Sequence, residues 1–337
     1  MPPIFGSSGG LRPGGRLGTF NQKEKFMGSH IENAGKTVAA VIGLGSMGAG
    51  VARSMKRAGL DVVGYDIAPA AIDRFVSDGG RGAVSTAEAV LGANIIVSVV
   101  VNGAQTEALL FGAEGVASVM KPGAVFISSA TMDPAVARGL AQRMEALGLH
   151  YLDAPISGGA AKASSGQLTI MASGSRLAFE AARPALDAMA AKVYELGDAA
   201  GTGAAFKMIN QLLAGVHIAA ACEAITFAAK QGLDLDKVYE VITASAGNSW
   251  MFENRIPHVL AGDYTPLSAI EIFVKDLGIV QDMARSERYP VPLVAAALQM
   301  YLAASGAGMG RDDDSSLARL YAQLSSAKLP CGLKEPR

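Results

Sequence analysis

The feature that most constrains the fold lies between residues 37 and 58, where a short apolar run leads into a glycine turn and a helical pattern. The run from Thr37 to Ile42 is rich in β-branched residues, which predicts a buried strand. Gly43, Gly45 and Gly48 follow as G-x-G-x-x-G, at the opening of a helix predicted over 47–58. A strand, a tight turn and a helix in this order begin a βαβ unit, whose strands run parallel.

The alternation of strand and helix patterns continues beyond this unit. Further strands are predicted over residues 61–65, 95–101, 124–128 and 151–152, with helical segments between them. One or two additional strands, at 168–174 and 192–196, are expected at the end of the same sheet. Because each crossover carries a helix, the sheet is expected to be parallel and covered on both faces.

The strand patterns stop after Gly203, and Ala204 to Lys230 is predicted to form one long helix. Its apolar residues recur at spacings of three and four, which is typical of the buried face of a helix: Phe206, Ile209, Leu213, Val216 and Ala220. The rest of the chain is helical in character.

Together these patterns predict an α/β fold with an N-terminal Rossmann-type, doubly wound parallel sheet, a long connecting helix and a C-terminal all-α domain. The first domain is expected over residues 37–200 and the second over 201–325, and a chain of 337 residues, 50% of them hydrophobic, is long enough for two cores. Residues 1–36 contain eight glycines and no hydrophobic period, so they are predicted to be a disordered leader. Residues 326–337 are expected to be a tail.

Composition excludes several classes of function. A net charge of −1 supplies no basic field, so neither nucleic acid nor an anionic membrane is expected as a partner. The most apolar stretch, 204–229, is interrupted by polar side chains and predicts a core helix of a soluble protein rather than a membrane span. The run Asp312 to Asp314 is expected to be a solvated turn or a helix cap.

The two cysteines, Cys222 and Cys331, are far apart and form no C-x-x-C pattern. They do not cluster in the sequence with any of the four histidines, which are His30, His150, His217 and His258. Neither a disulfide framework nor a metal site is therefore expected, and a reducing, cytoplasmic location fits best.

The glycine turn has the context of a dinucleotide-binding fingerprint. In such a turn the first glycine permits a sharp bend, the second lets the backbone approach a pyrophosphate, and the third allows close helix packing. The residues between the glycines, Leu44, Ser46 and Met47, belong to the same predicted cofactor site. An ordinary glycine turn is the alternative.

Asp66 favours the interpretation of the glycine turn as a dinucleotide-binding site, because it lies 18 residues after Gly48 at the end of the second predicted strand. A carboxylate there accepts hydrogen bonds from the ribose hydroxyls and repels a 2′-phosphate, which favours NAD over NADP. The alternative is an Asp in a surface loop.

Two further segments carry groups suited to a small acid substrate. Ser157, Gly158 and Gly159 offer a hydroxyl and unobstructed backbone N–H groups that can hold a carboxylate, although a plain turn has the same composition. Lys207 lies near the start of the long apolar helix, with Asn210 and Gln211 three and four positions later on the same face. Burial lowers the pKa of a lysine, which suits it to proton exchange with a substrate hydroxyl; a lysine that extends its amine to solvent is the alternative.

Two later segments are more ambiguous. Residues 248–255 gather polar and aromatic side chains around the single tryptophan, Trp250, and residues 273–277 place Lys275 and Asp276 after an apolar approach. Each is either a solvated helix end or part of a wall that closes a site over a polyhydroxylated ligand.

Four motifs stand in one order: the glycine fingerprint, Asp-Ala-Pro-Ile-Ser-Gly-Gly from Asp153, Gly-x-x-x-Lys-x-x-Asn-Gln from Gly203, and Lys-Asp-Leu from Lys275. From about Val38 to Leu324, the chain resembles the β-hydroxyacid dehydrogenases, which include 3-hydroxyisobutyrate dehydrogenase. The resemblance implies NAD-dependent hydride transfer on a small hydroxy acid, with the site between the two domains. It also implies a homodimer or homotetramer.

By position, the resemblance implies that Lys207 is the catalytic acid and base and that Ser157, Gly158, Gly159 and Asn210 hold the substrate. It places Asn102, Thr131 and Lys275 beside the cofactor, with Thr131 also next to the substrate. Gln211 and Trp250 complete the expected substrate site.

The chain departs from the family pattern at two places. Many members have Asp-x-Ser-Thr where this chain has Ser128-Ser-Ala-Thr131, and many have a second asparagine where it has Gln211, as tartronate semialdehyde reductases do. The stretch Asn248 to Arg255 most resembles the L-threonate dehydrogenase branch. Tartronate semialdehyde reductase and 3-hydroxyisobutyrate dehydrogenase remain as alternatives.

Proteins of three other classes are the remaining alternatives. A non-catalytic nucleotide-binding protein or an imine reductase on the same fold typically lacks the lysine that this chain has at Lys207. A short-chain dehydrogenase needs Tyr-x-x-x-Lys, which does not occur in the sequence.

Overall fold

The computed structural model describes residues 37–330, and its first part is a six-stranded parallel sheet in the order β3-β2-β1-β4-β5-β6. The predicted Rossmann-type sheet is confirmed, and the order reverses between β1 and β4, where a doubly wound sheet binds its ligand. The strands are β1 Val38–Ile42, β2 Asp61–Tyr65, β3 Arg81–Gly82, β4 Ile95–Ser98, β5 Val125–Ser128 and β6 His150–Asp153. The predicted leader lies outside the described residues.

Helices cover both faces of this sheet, because its strands are buried on both sides and need apolar cover above and below. One core lies on each face: Val41, Val51 and Phe75 belong to the first, and Ile96 and Leu140 to the second. The helices are α1 Ser46–Arg57, α2 Pro69–Ser77, α3 Thr86–Val90, α4 Gly103–Phe111 and α5 Pro134–Glu145.

A second, three-stranded sheet follows β6. It consists of β7 Ile156–Ser157, β8 Leu168–Ala172 and β9 Ala190–Glu195, with α6 Gly159–Ser165 and α7 Arg176–Met189 between them. The expectation that residues 168–174 and 192–196 extend the main sheet was therefore wrong. Strand β7 pairs with β8 in the antiparallel sense, and these strands form a separate sheet instead of extending the edge of the main sheet at β6.

After β9 the described chain is helical, as predicted, and its core is a third cluster that includes Ile218, Phe273 and Tyr301. The long helix α8 spans Thr202–Lys230 and packs against the helices that follow it. These are α9 Leu235–Thr243, α10 Trp250–Ala261, α11 Ile270–Ser286, α12 Pro292–Ala304 and α13 Leu317–Ser325.

The face of α8 that is buried is not the one that the apolar spacing indicated. Phe206, Ile209 and Leu213 are 53%, 60% and 49% exposed, whereas Lys207 and Gln211 are buried. The helix is apolar on every side, so its period does not distinguish the packed face from the free one. Small residues lie on the packed face because neighbouring elements approach it closely; a Cβ on Gly215 would lie 2.9 Å from Leu277 and Phe273.

The aspartate run is not a solvated turn. Asp313 and Asp314 are fully buried, and Asp314 Oδ1 accepts a hydrogen bond of 2.5 Å from Nε of the buried Arg255. The Asp313 side chain accepts backbone N–H bonds from Leu267 and Ser315. Asp314 thereby joins α10 to the start of α13, and Asp313 caps the 3-10 helix Asp314–Ser316, as the helix-cap alternative predicted. The solvated-turn alternative was wrong because Arg255 and Leu267, which bind these carboxylates, are distant in sequence.

Within the described residues, Thr202–Lys230 and Pro292–Met309 are long and apolar enough to cross a membrane by length and composition. Half of the apolar stretch in Thr202–Lys230 is buried inside the protein, which is also found for core helices.

Candidate active site

The fingerprint turn is closed on one side and open on the other. Gly43 has a φ of +93°, and a Cβ there would lie 2.6 Å from the Val99 carbonyl oxygen. A Cβ on Gly48 would lie 1.7 Å from the Gly43 carbonyl oxygen, so both positions require glycine. A Cβ on Gly45 would meet nothing within 4 Å. The turn therefore leaves free space over Gly45, in front of the first N–H groups of α1, where a pyrophosphate fits.

Asp66 is built into the same turn rather than lying in a free surface loop. Its Oδ2 accepts the Leu44 N–H at 2.6 Å, and its Oδ1 accepts the Ala68 N–H at 2.8 Å. Each carboxylate oxygen has a further lone pair, which suits the ribose hydroxyls of NAD. The acidic group thus stands beside the fingerprint, as predicted for an NAD site.

Lys207 points into the protein. Its side chain is only 8% exposed, and Nζ donates a 3.0 Å hydrogen bond to the Ile156 carbonyl oxygen, directly before Ser157. Burial lowers the pKa of Lys207 to about 8, with the nearby positive charge of Lys275 acting in the same direction and the negative charge of Asp276 opposing both. The alternative of an amine in bulk solvent does not hold. A lysine with this pKa exchanges protons near neutral pH.

A polar chain on the buried side of α8 joins it to α11. Asn210 Nδ2 donates to Gln211 Oε1 at 2.9 Å, and Gln211 Nε2 donates to Asp276 Oδ2 at 2.6 Å. Asp276 Oδ1 forms an ion pair of 2.8 Å with Lys275 Nζ. The alternative of a solvated helix end therefore does not hold for Asp276, which was not among the residues assigned to the site.

Lys275 connects α11 to two loops at the carboxyl end of the main sheet. Its Nζ donates to the Val101 carbonyl oxygen at 2.7 Å and lies 3.5 Å from that of Thr131. The neighbouring Asn102 caps α4 by accepting the Gln105 N–H at 2.8 Å. Asn102, Thr131 and Lys275 are thus brought together, as the resemblance implied.

Ser157, Gly158 and Gly159 form the turn between β7 and α6. Gly158 and Gly159 have φ values of +135° and +77°, a backbone conformation that favours glycine. The stem of Lys162 lies across Gly158, since a Cβ there would lie 2.8 Å from Lys162 Cδ. The turn follows Ile156, whose carbonyl oxygen accepts the Lys207 hydrogen bond, and the space at Gly159 is open.

Trp250 is not brought to this site within one chain. It is 58% exposed at the start of α10, and its neighbours Asn248 and Phe252 line a groove with His217 and Phe227 of α8. His217 lies ten residues beyond Lys207, or roughly 15 Å at 1.5 Å per helical residue.

Together, the open glycine turn beside Asp66 and the buried amine of Lys207 indicate a nicotinamide-dependent dehydrogenase. Residues 38–197 match the family described as the NAD-binding domain of 6-phosphogluconate dehydrogenase. Residues 201–321 match the family described as NAD-binding of NADP-dependent 3-hydroxyisobutyrate dehydrogenase.

Individual relatives agree with these matches. The L-threonate dehydrogenase of Cupriavidus necator is 54% identical, over 83% of this chain and 95% of that protein. The L-threonate dehydrogenase of Haemophilus influenzae is 48% identical, over 88% and 99%. A crystal structure described as 3-hydroxyisobutyrate dehydrogenase from Salmonella typhimurium is 49% identical with a TM-score of 0.81, covering 85% of this chain and all of that one.

The chain belongs to the β-hydroxyacid dehydrogenase family, as the sequence resemblance indicated. It is an NAD-dependent dehydrogenase that acts on a small hydroxy acid.

Proposed function

We propose that the enzyme oxidises L-threonate to 2-dehydro-L-erythronate, with Lys207 as general base. The observation that carries the chemistry is the buried Lys207 amine, 3.0 Å from the Ile156 carbonyl oxygen at the edge of the Ser157–Gly159 turn. The assignment of L-threonate as the substrate is based on two L-threonate dehydrogenases, which are 54% and 48% identical to this chain over most of its length.

The proposed substrate site uses residues from three parts of the fold. The substrate carboxylate is held by the Ser157 hydroxyl and the N–H groups of Gly158 and Gly159. The space at Gly159 is open, and the Lys162 stem lies beside Gly158. Asn210 and Gln211 orient the substrate beside Lys207, and Thr131 adds a hydroxyl from the sheet side. The place of Trp250 in the substrate site remains a prediction from the family resemblance, since its side chain is 58% exposed at the start of α10.

The proposed cofactor site is the turn Gly43 to Gly48, including Leu44, Ser46 and Met47, with Asp66 at the ribose and Asn102, Thr131 and Lys275 near the nicotinamide. A nicotinamide cofactor held by these residues would supply the hydride acceptor for oxidation of the substrate carbon.

Neutral Lys207 accepts the proton of the substrate hydroxyl during oxidation, and its ammonium form returns it during reduction. Burial and the positive charge of Lys275 keep Lys207 partly neutral near pH 7, and the negative charge of Asp276 opposes them. Gln211 and Lys275 both bind the Asp276 carboxylate.

The test is a panel of L-threonate, D-glycerate and 3-hydroxyisobutyrate, assayed for NADH formation with wild type and two variants. Lys207→Ala should lower turnover by ~10²-fold or more while NAD binding persists. Lys230→Ala, a surface change on the same helix, is the matched control and should keep wild-type turnover. Unchanged turnover in Lys207→Ala removes the lysine from the mechanism. Activity on 3-hydroxyisobutyrate alone overturns the L-threonate assignment in favour of the name carried by the Salmonella structure.

We also propose a cytoplasmic homo-oligomer, a dimer or a tetramer, that associates through the exposed face of α8. Phe206, Ile209, Leu213 and Phe227 are all about half exposed or more on that helix. Contiguous apolar patches of this kind are uncommon on monomers and typical of interfaces. Leu213→Glu should therefore lower the mass measured by light scattering, whereas Lys121→Glu, an exposed change in the loop before β5, should not. A monomeric wild type rejects the proposal.

A further inference from the structure

Asp153, the last residue of β6, is a fully buried carboxylate with no role in the site described so far. Its Oδ2 accepts the Gly201 N–H at 2.9 Å and the Ala204 N–H at 2.8 Å. Ser173 Oγ donates to the same oxygen at 3.2 Å and accepts the Gly203 N–H at 2.9 Å. One carboxylate oxygen and one hydroxyl thus bind the first N–H groups of α8.

This arrangement differs from the usual helix start. The first residues of a helix leave N–H groups without intrahelical partners, and a neighbouring side chain commonly accepts one of them. The residue before α8 is Gly201, which provides no such side chain. Asp153 supplies the cap from 48 and 51 residues upstream. The position of α8 therefore depends on the end of β6 rather than on its own local sequence.

The contact is also tight. A Cβ on Gly203 would lie 2.3 Å from the Met171 carbonyl oxygen and 3.0 Å from that of Asp153. The start of α8 is consequently pressed against the backbone of β6 and β8, and little sliding of the helix is possible without breaking the Asp153 bonds.

The same stretch of chain holds the reactive end of α8. Three residues after Asp153, the Ile156 carbonyl oxygen accepts the Lys207 Nζ hydrogen bond, and the Ser157–Gly159 turn comes next. Ala204 and Lys207 are three residues apart, about one helical turn. Asp153 and Ile156 thus fix two consecutive turns of α8 to the segment that carries the carboxylate-binding turn.

We propose that Asp153 is a positioning residue for the reaction: by anchoring the start of α8 to β6, it sets the place and the burial of the Lys207 amine beside the substrate turn. The inference rests on the proposed role of Lys207. Asp153 does not touch the substrate; it acts through the helix that carries the lysine.

A cap that served stability alone would leave the titration of Lys207 unchanged, and this separates the two roles. The pKa of Lys207 is about 8 mainly because the amine is buried. If α8 moves away from β6, water reaches the amine and its pKa rises toward the ordinary 10.5. The charges that act on the amine are those of Asp276 and Lys275, both on α11, and neither is altered by changing Asp153.

The experiment uses the full chain with Asp153→Asn, which keeps the size of the side chain and weakens its acceptors. Two readouts are followed against pH: kcat for NAD-dependent oxidation, and labelling of Lys207 by acetic anhydride, measured by mass spectrometry without substrate. Both midpoints should rise by about one pH unit, with about a tenfold fall in kcat at pH 7. Ser173→Ala should shift them in the same direction by less.

The matched control is Asp263→Asn, since Asp263 is an exposed aspartate that accepts the Thr265 N–H at 2.9 Å in a local turn. Its midpoints should equal those of wild type. A lower melting temperature of Asp153→Asn with unchanged midpoints would reduce Asp153 to a structural cap. If that variant does not fold, unchanged midpoints in Ser173→Ala overturn the proposal. Failure of the proposed function is seen separately, as an inactive wild type or a fully active Lys207→Ala.

Discussion

The pH dependence of the wild-type enzyme tests the central chemical claim most directly. Oxidation needs the neutral form of Lys207, and burial lowers the pKa of this lysine to about 8. At pH 7 about one molecule in eleven is then neutral, against about one in 3,000 for an amine at the ordinary 10.5. The buried position thus multiplies the available base by roughly 300-fold at pH 7, a factor worth about 3 kcal/mol.

The assay is NADH formation from L-threonate between pH 5.5 and about 10, with kcat/KM reporting the free enzyme. Below pH 8, kcat/KM should rise about tenfold for each pH unit and then level off. The reverse reaction needs the ammonium form, so its rate should fall above pH 8. Lys207→Arg keeps a donor for Ile156 but holds its proton throughout this range, and should be slow at every pH.

Two results would refute the reasoning. A profile that still rises steeply through pH 10 would mean that the base is a solvated amine of ordinary pKa. A profile that is flat from pH 6 to 9, or one that Lys207→Arg reproduces, would assign the titration to a different group.

Three further predictions concern the stability cost of Lys207, the charge of Asp276 and the glycine turn. Lys207→Met should raise the free energy of unfolding at pH 7 by up to about 3 kcal/mol, because the folded-state pKa of Lys207 is lowered to about 8 and the penalty of a buried ammonium is complete below that pH. The gain should disappear as pH rises from 8 to 10.5, measured by denaturant unfolding; a constant gain contradicts it. Asp276→Asn should move the kcat/KM midpoint to lower pH, since the Asp276 charge raises the Lys207 pKa; an upward shift contradicts it. Gly48→Ala should abolish NAD binding by calorimetry, because its Cβ would lie 1.7 Å from the Gly43 carbonyl oxygen, and Gly278→Ala, with open space around it, is the control.

The local part of the fold could be predicted from the sequence. The glycine fingerprint, Asp66 at the end of β2 and the order of strands and helices follow from rules that act over a few residues. The three N-terminal predicted strands lie where the structure has β1, β2 and β4, since buried parallel strands have a strong composition. The placement of Lys207 on a largely apolar helix was equally visible, because a lysine in such a helix is exceptional.

Other features depend on contacts between distant segments. Asp153 begins a motif in the sequence, but the residues that it binds, Gly201 and Ala204, lie 48 and 51 residues away, and no local pattern encodes these bonds. The same holds for Asp276 and for the buried pair of Asp314 and Arg255.

The long helix shows the division most clearly. The sequence by itself determined that α8 is a helix and which polar residues it carries, because these depend on the preferences of neighbouring residues. Only the tertiary structure decided which side of α8 is buried, because a helix that is apolar all round packs by the shape of its neighbours. Small residues and Lys207 therefore face inward, while Phe206, Ile209 and Leu213 remain exposed on the opposite face.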